Sequence, residues 1–325
     1  MAKWEILEID PWIKNYENDI NLRMNEYEKQ KERILKDSES LKDFANAHHY
    51  YGFHKVKTGW IYREWAPNAD GLYLIGDFNN WDRHAHPLTK INDEDWEIFI
   101  KGIRTIPHGS RIKVLVDANG AIKDRIPLYA RRVERDENND FAAILQNPRS
   151  KFKWTDQDFE INKNDLLIYE AHIGMAGEEE KVSTYKEFEK NILPRIKKDG
   201  YNTVQLMAIA EHPYYGSFGY QVSNFYAPSS WYGPINDLKS LINTAHNMGI
   251  NVIMDLVHSH AIKNTIEGIN EFDGTDYQFF HTGVEGDHPD WDSKLFDYSK
   301  PGVLHFLLSL SLIHISEPTR PRLIS

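Results

Sequence analysis

Apolar and polar positions change rhythm twice along this chain. Between residues 10 and 45, Leu22, Met24, Tyr27, Ile34, Leu35 and Leu41 lie among many Glu, Lys and Arg. That partly amphipathic pattern predicts a helical appendage packed against the next part of the chain. From residue 52 to 148 the runs shorten. Positions 60–65, 72–75, 96–100 and 111–116 alternate at the two-residue period of strands, and 76–81 and 107–109 supply Gly, Pro, Asn and Asp for turns. Several strands at this spacing predict a β-sandwich. Residues 147–164, with Lys151, Lys153, Asp156 and Asp158, are polar enough for a linker over the surface.

Beyond the linker the rhythm becomes that of βα units. Residues 166–170 read as a buried strand and 184–198 as a helix, with Thr184 and Glu187 spaced for a capping box and Gly200 as a stop. Residues 203–207 give a second strand and 234–248 a second helix, closed by Gly249. The third strand, Asn251-Val-Ile-Met-Asp-Leu-Val-His-Ser-His260, carries a nearly continuous apolar run, the pattern of a strand buried on both faces. Strand, helix, strand, helix, strand with short connections predicts a parallel sheet, either a barrel or a doubly wound fold. No glycine-rich phosphate motif follows the first strand, which disfavours dinucleotide binding.

Asp255 interrupts the third strand near its carboxyl end, where parallel α/β folds bind ligands. A buried unpaired carboxylate costs several kcal/mol, so a charge there is expected to face a polar cleft. The plain alternative is a capped turn with His258 and His260 on a loop surface. Metal binding is a further reading of His-x-His beside Asp, but no other cluster of ligand spacing supports it.

Composition narrows the function. A length of 325 residues allows two domains, and 41% hydrophobic with 27% charged residues is ordinary for a soluble globular protein. The net charge of −11 argues against nucleic acid or an anionic membrane as the main partner and suits a neutral polymer. There is no cysteine, which fits a reducing cytoplasm, and the amino terminus lacks a signal-peptide apolar region. Nothing in the pattern calls for a cofactor or a metal.

Particular motifs now point to a family. Arg63-Glu-Trp-Ala-Pro-Asn-Ala69 with Gly76-Asp-Phe-Asn-Asn-Trp81 resembles the immunoglobulin-like, glycogen-binding-type module that precedes the barrel in branching and debranching enzymes. Such modules bind glucan through exposed aromatics, which makes Trp65 and Trp81 candidate glucan contacts. Both are also candidate core residues; the reading leans to core for Trp81 and leaves Trp65 open. Asp255-Leu-Val-His-Ser-His260 resembles the first shared motif of the α-amylase family, at the third strand of a TIM (β/α)8 barrel. The segments Ile168-Tyr-Glu-Ala-His-Ile-Gly174, Leu206-Met-Ala-Ile-Ala-Glu-His212, Ser217-Phe-Gly-Tyr-Gln-Val222 and Trp291-Asp-Ser-Lys-Leu-Phe296 resemble, in order and spacing, the eukaryotic-type 1,4-α-glucan branching enzymes. The resemblance implies that Tyr220 stacks on the sugar at the cleavage position while Asp255 and His260 hold its hydroxyls. It also implies a glycosyltransferase acting on α-1,4-glucan in glycogen biosynthesis. The alternatives are a debranching enzyme or other α-glucan hydrolase, or a non-catalytic glucan-binding protein.

The family pattern stops at Ser309. Leu310-Ser-Leu-Ile-His-Ile-Ser-Glu-Pro-Thr-Arg320 instead resembles the in-frame translation of a sequencing adapter, so residues 310–325 are set apart as an artefact. The chain then divides into a helical segment (1–50), a sandwich (51–150), a linker (151–164) and the first three of eight βα units (165–309). By resemblance, the nucleophilic Asp, the acid/base Glu and a third Asp all fall beyond Ser309. No catalytic residue is therefore assigned within the chain, which is expected to be inactive by itself.

Overall fold

The computed structural model describes residues 4–316. Its amino-terminal part is helical, as the amphipathic pattern predicts, but broken: a 3-10 turn at Pro11–Tyr16 leads into the helix Glu17–Ile34, and single turns follow at Leu41–Phe44 and Ala47–Tyr50. Asp10 caps the first turn through the Trp12 amide, and Ser40 caps Leu41–Phe44 through the Asp43 amide.

Two antiparallel sheets form the sandwich. One runs in the order Gly52–Val56, Gly59–Trp65, Asp95–Lys101, Thr89–Lys90. In the other, Arg111–Ala118 is central, pairing with Gly71–Gly76 on one side and with both Ala121–Arg125 and Phe141–Ile144 on the other. Tyr62, Leu74, Ile112 and Val114 are wholly buried between the sheets. Four of these strands follow the alternation in the sequence. Those at 52–56, 89–90, 121–125, 133–135 and 141–144 are missed, because they are too short or their apolar residues are too few or too contiguous to alternate.

Residues 151–167 carry no regular structure, yet they do not simply run over the surface: Trp154 is buried, and Asp156 meets His246 at 2.7 Å with both side chains enclosed. Next come three parallel strands in chain order, Ile168–Ala171, Thr203–Leu206 and Asn251–Met254. The Thr184–Glu187 capping box forms. The helix it starts widens to a π-turn at Phe188–Ile192, just ahead of Pro194, whose missing N–H removes a regular bond. Val204 and Leu206 pack outward against this helix and Ile235–Asn247, in a cluster with Phe188, Ile196, Leu238 and Leu241.

Two burial expectations are corrected here. The first barrel strand is not buried: Ile168 is 43% exposed and Tyr169 37%. Nor is the third buried on both faces, since Val252, Ile253, Met254 and Leu256 are only half-covered. The physical reason is the same. A parallel barrel strand is enclosed by neighbours on both edges and by the filled interior, and the described residues supply three strands whose sheet remains open.

After the third strand the chain leaves the barrel for a small antiparallel sheet, His260–Ile262, Ser293–Leu295 and Asp287–His288. It returns in the helix Pro301–Ser316, which runs unbroken past Ser309, with Leu310 buried. The segment set apart at 310–325 is thus helical as far as 316; the rest lies outside the described residues. The sandwich core continues into this half. Trp65 meets Phe279 edge-on at 5.0 Å, and a Cβ on Gly302 would lie 2.3 Å from the Trp65 ring, so glycine there lets helix and ring close up. Among the described residues no helix is long and apolar enough to cross a membrane.

Candidate functional site

The site forms where the second and third barrel strands end. Register places Gln205 beside Glu170 on one side and Ile253 on the other, so Gln205 faces the barrel interior while Val204 and Leu206 face the helices. Asp255 follows directly on the third strand, its amide donating to the Leu206 carbonyl at 3.1 Å. The Gln205 side-chain amide donates one proton to Asp255 Oδ1 (2.8 Å) and the other to Glu170 Oε1 (3.2 Å). The Tyr220 hydroxyl donates to Asp255 Oδ2 at 3.1 Å. Both carboxylate oxygens of Asp255 are therefore held, one from the strand beside it and one from a loop.

That loop is built for the purpose. Phe218 and Gly219 both take positive φ (53° and 91°) just before Tyr220, and a Cβ on Gly219 would lie 1.8 Å from the Ala208 carbonyl oxygen. Only glycine fits that approach. Tyr220 is 36% exposed, with the hydroxyl pushed above its ordinary pKa by burial and by the Asp255 charge. His260 is buried instead. Its Nε2 donates to the Tyr220 carbonyl at 2.8 Å, which leaves Nδ1 to accept from the Ser259 hydroxyl, also at 2.8 Å. Burial holds this imidazole below its usual pKa, so it is neutral at pH 7.

The sequence-predicted trio of Tyr220, Asp255 and His260 is thus brought into one hydrogen-bonded chain. Trp65 and Trp81 lie elsewhere, in the sandwich; the lean to core for Trp81 is overturned, and Trp65, left open by the sequence, is buried. Trp65 is enclosed, with Nε1 donating to Glu94. Trp81 is half-exposed at positive φ, its Nε1 donating to Asp77. Three site residues escape the sequence reading. Gln205 is a polar residue inside an apolar strand run, the same signal that marks Asp255. Glu170 carries it too. Trp291 has no positional signal: it is brought in by the small sheet, 55% exposed, stacked on His288 at 4.3 Å and 5.1 Å from the His260 ring. The Gln221 amide, next to Tyr220, donates to its carbonyl at 2.6 Å.

An exposed tyrosine and a carboxylate with oriented oxygens at the ends of parallel strands suit a ligand with a flat apolar face and several hydroxyls, such as a pyranose. Residues 50–130 match Carbohydrate-binding module 48 (Isoamylase N-terminal domain), and residues 190–300 match Alpha amylase, catalytic domain. The fold is similar to the pullulanase of Bacillus acidopullulyticus (TM-score 0.65, 20% identity, covering 82% of this chain and 36% of that one). It is likewise similar to the type I pullulanase of Bacillus subtilis (TM-score 0.67, 18% identity, covering 84% and 42%). The class is therefore a carbohydrate-binding module joined to an α-amylase-type barrel, of which this chain holds part.

Within that class the sequence is 46% identical over 323 residues to a 1,4-alpha-glucan-branching enzyme of Yarrowia lipolytica, covering 96% of this chain and 46% of that protein. It is 42% identical over 319 residues to the Dictyostelium discoideum enzyme of the same name, covering 96% and 47%. The chain is a homologue of the eukaryotic 1,4-alpha-glucan-branching enzymes. It spans a little under half the length of these two relatives.

Proposed function

We propose that the protein to which this chain belongs is a 1,4-α-glucan branching enzyme, which cleaves an α-1,4-glucan and transfers the freed segment to a 6-hydroxyl to make a branch. The observation that carries this reading is the 42% and 46% identity with two branching enzymes over alignments that cover 96% of the chain, module and barrel strands alike. The Tyr220–Asp255–His260 arrangement supports it. In the proposed mechanism the Tyr220 ring covers the apolar face of the sugar at the cleavage position and Asp255 accepts from its hydroxyls. His260 fixes the Tyr220 backbone and lends its neutral ring to the wall of the site. Retaining chemistry needs two carboxyl groups about 5 Å apart, one as nucleophile and one as acid/base. Those groups are expected beyond Ser309. Asp255 is not promoted to either role, because the resemblance assigns it to holding the sugar.

Incubating the full-length protein with amylose tests the assignment. New α-1,6 links without net release of sugar are expected; free sugar with no new links would favour the hydrolase alternative. A non-catalytic glucan binder would need only the sandwich. There Trp81 is the better candidate contact, since Trp65 is enclosed. If a chain ending at Pro148 folds yet runs unretarded through a glycogen-containing native gel, these aromatics are structural. A cytoplasmic location rests on composition, and cell fractionation would test it.

A further inference from the structure

Trp291 lies in the turn that joins Asp287–His288 to Ser293–Leu295. A lone apolar residue on a protein surface is ordinary and by itself means little. What sets Trp291 apart is that it is exposed and fixed at once. Its ring lies flat on His288, the centroids 4.3 Å apart and the planes 2° from parallel. Its carbonyl accepts from the Gln221 side-chain amide at 2.6 Å. The next residue, Asp292, takes a positive φ of 45° and pairs with Lys263 at 2.9 Å. The turn is thus tied to the end of the strand His260–Ile262 and to the Tyr220 loop. Even so, Trp291 is 55% exposed.

A large side chain held in this way has given up its rotamer freedom before any ligand arrives. A ligand that covers it gains the apolar contact without that ordering cost. The imidazole of His288 occupies one face of the indole, so exposure of this extent leaves the opposite side of the residue to solvent.

The position of Trp291 says what could cover it. Its ring is 5.1 Å from that of His260, whose Nε2 lies 2.8 Å from the Tyr220 carbonyl. One imidazole and the Gln221 amide therefore join two exposed aromatic residues, and the hydroxyl of the first is on Asp255 at 3.1 Å. The cations around the turn are already paired, Lys263 with Asp292 and Lys294 with Asp287 at 3.1 Å, which suits a neutral ligand better than an anion. With one pyranose over Tyr220, a linear glucan has further units to place, and each presents an apolar face that an indole can cover. We propose that Trp291, backed by His288, is a second stacking platform that holds the glucose unit next to the one over Tyr220, so that the site reads consecutive units of an α-1,4-glucan. This rests on the glucan reading of the Tyr220 site.

Calorimetric titration of the full-length protein with maltotriose, together with the kinetics of amylose conversion, tests it. Trp291→Ala is expected to weaken maltotriose about two- to tenfold, the scale of one stacked ring contact. It should raise KM for amylose by a similar factor while kcat stays within about twofold, as loss of uniform binding requires. Trp291→Phe, which keeps a ring, should recover most of the affinity. Unchanged maltotriose affinity in Trp291→Ala would overturn the proposal. So would a fall in kcat at constant KM, which would make Trp291 only a support for His260 and the Tyr220 loop. A wild-type protein that binds no maltotriose would overturn it as well. The branching assignment fails separately: maltotriose binding that depends on Trp291, in a protein that makes no α-1,6 links, would support the platform and refute that assignment.

Discussion

Tyr62 and Tyr169 both stand mid-strand in apolar stretches, and they end in opposite surroundings: Tyr62 is wholly buried, Tyr169 is 37% exposed. The sandwich supplies its own second layer. Strands Gly59–Trp65 and Arg111–Ala118 come from one contiguous stretch of chain and close over each other's apolar faces. The parallel strands depend on distant partners, because a barrel strand is covered only when later strands reach it. Local sequence can therefore specify a strand in both regions, while burial follows only in the region whose neighbours are present. The two regions are nonetheless joined, through Trp65, Phe279, Val303 and Phe306 in one continuous cluster.

The sharpest way to break the comparison is to cut equal side chains in each region. Leu74→Ala, at a fully buried sandwich position, should cost about 2–5 kcal/mol in urea unfolding. Ile168→Ala, at 43% exposure, should cost under about 1 kcal/mol. Equal losses would mean that the first barrel strand is covered after all.

Buried acids give the next largest effect, one in each region. Glu64 in the sandwich accepts from the Tyr62 hydroxyl and from the Trp65 and Leu128 amides; Glu211 beside the barrel strands accepts from the His212 and Ser230 amides. Burial pushes each carboxyl from 4.5 up to about 7. A carboxyl raised in the folded state binds protons there that the unfolded chain has released. Its stabilisation is full below pH 4.5 and is lost as pH rises through about 7. Each site should account for about 3 kcal/mol of that decline. Glu64→Gln and Glu211→Gln should each flatten the stability–pH curve. If the shared core couples the regions, either substitution shifts a single transition; two transitions, each moved by one variant, would show that they unfold separately.

A smaller effect is expected at the site. Gln205→Leu removes the donor to Asp255 Oδ1 and should cost about 1 kcal/mol in maltooligosaccharide binding, measured by calorimetry, with little change in melting temperature. An unchanged affinity would leave Tyr220 as sufficient to orient Asp255. Smallest of all, Arg83→Ala breaks an exposed ion pair with Asp124 and should shift stability by less than about 0.5 kcal/mol.

Much of the fold is legible because its signals are local. The two-residue alternation, the Thr184–Glu187 box and the glycines at 200 and 249 act through near neighbours, and each appears where the pattern puts it. Tyr220, Asp255 and His260 can be named from motifs of the chain. Gln205 could be as well, since a polar residue within an apolar strand poses the same burial problem as Asp255. Trp291 could not, because it reaches His260 only through the pairing of His260–Ile262 with Ser293–Leu295.

By itself, then, the sequence determined the order of elements, their caps and the family to which the motifs point. Those depend on side chains within a turn or a strand of one another. The tertiary structure decided which apolar residues are buried: it put Trp65 inside against Gly302 and left Trp81 half-exposed. It also let both oxygens of Asp255 be held, and it brought Trp291 beside the His260 ring. Coverage and the meeting of distant side chains depend on which segments, far apart in the chain, come to lie side by side. No pattern confined to one stretch of residues contains that information.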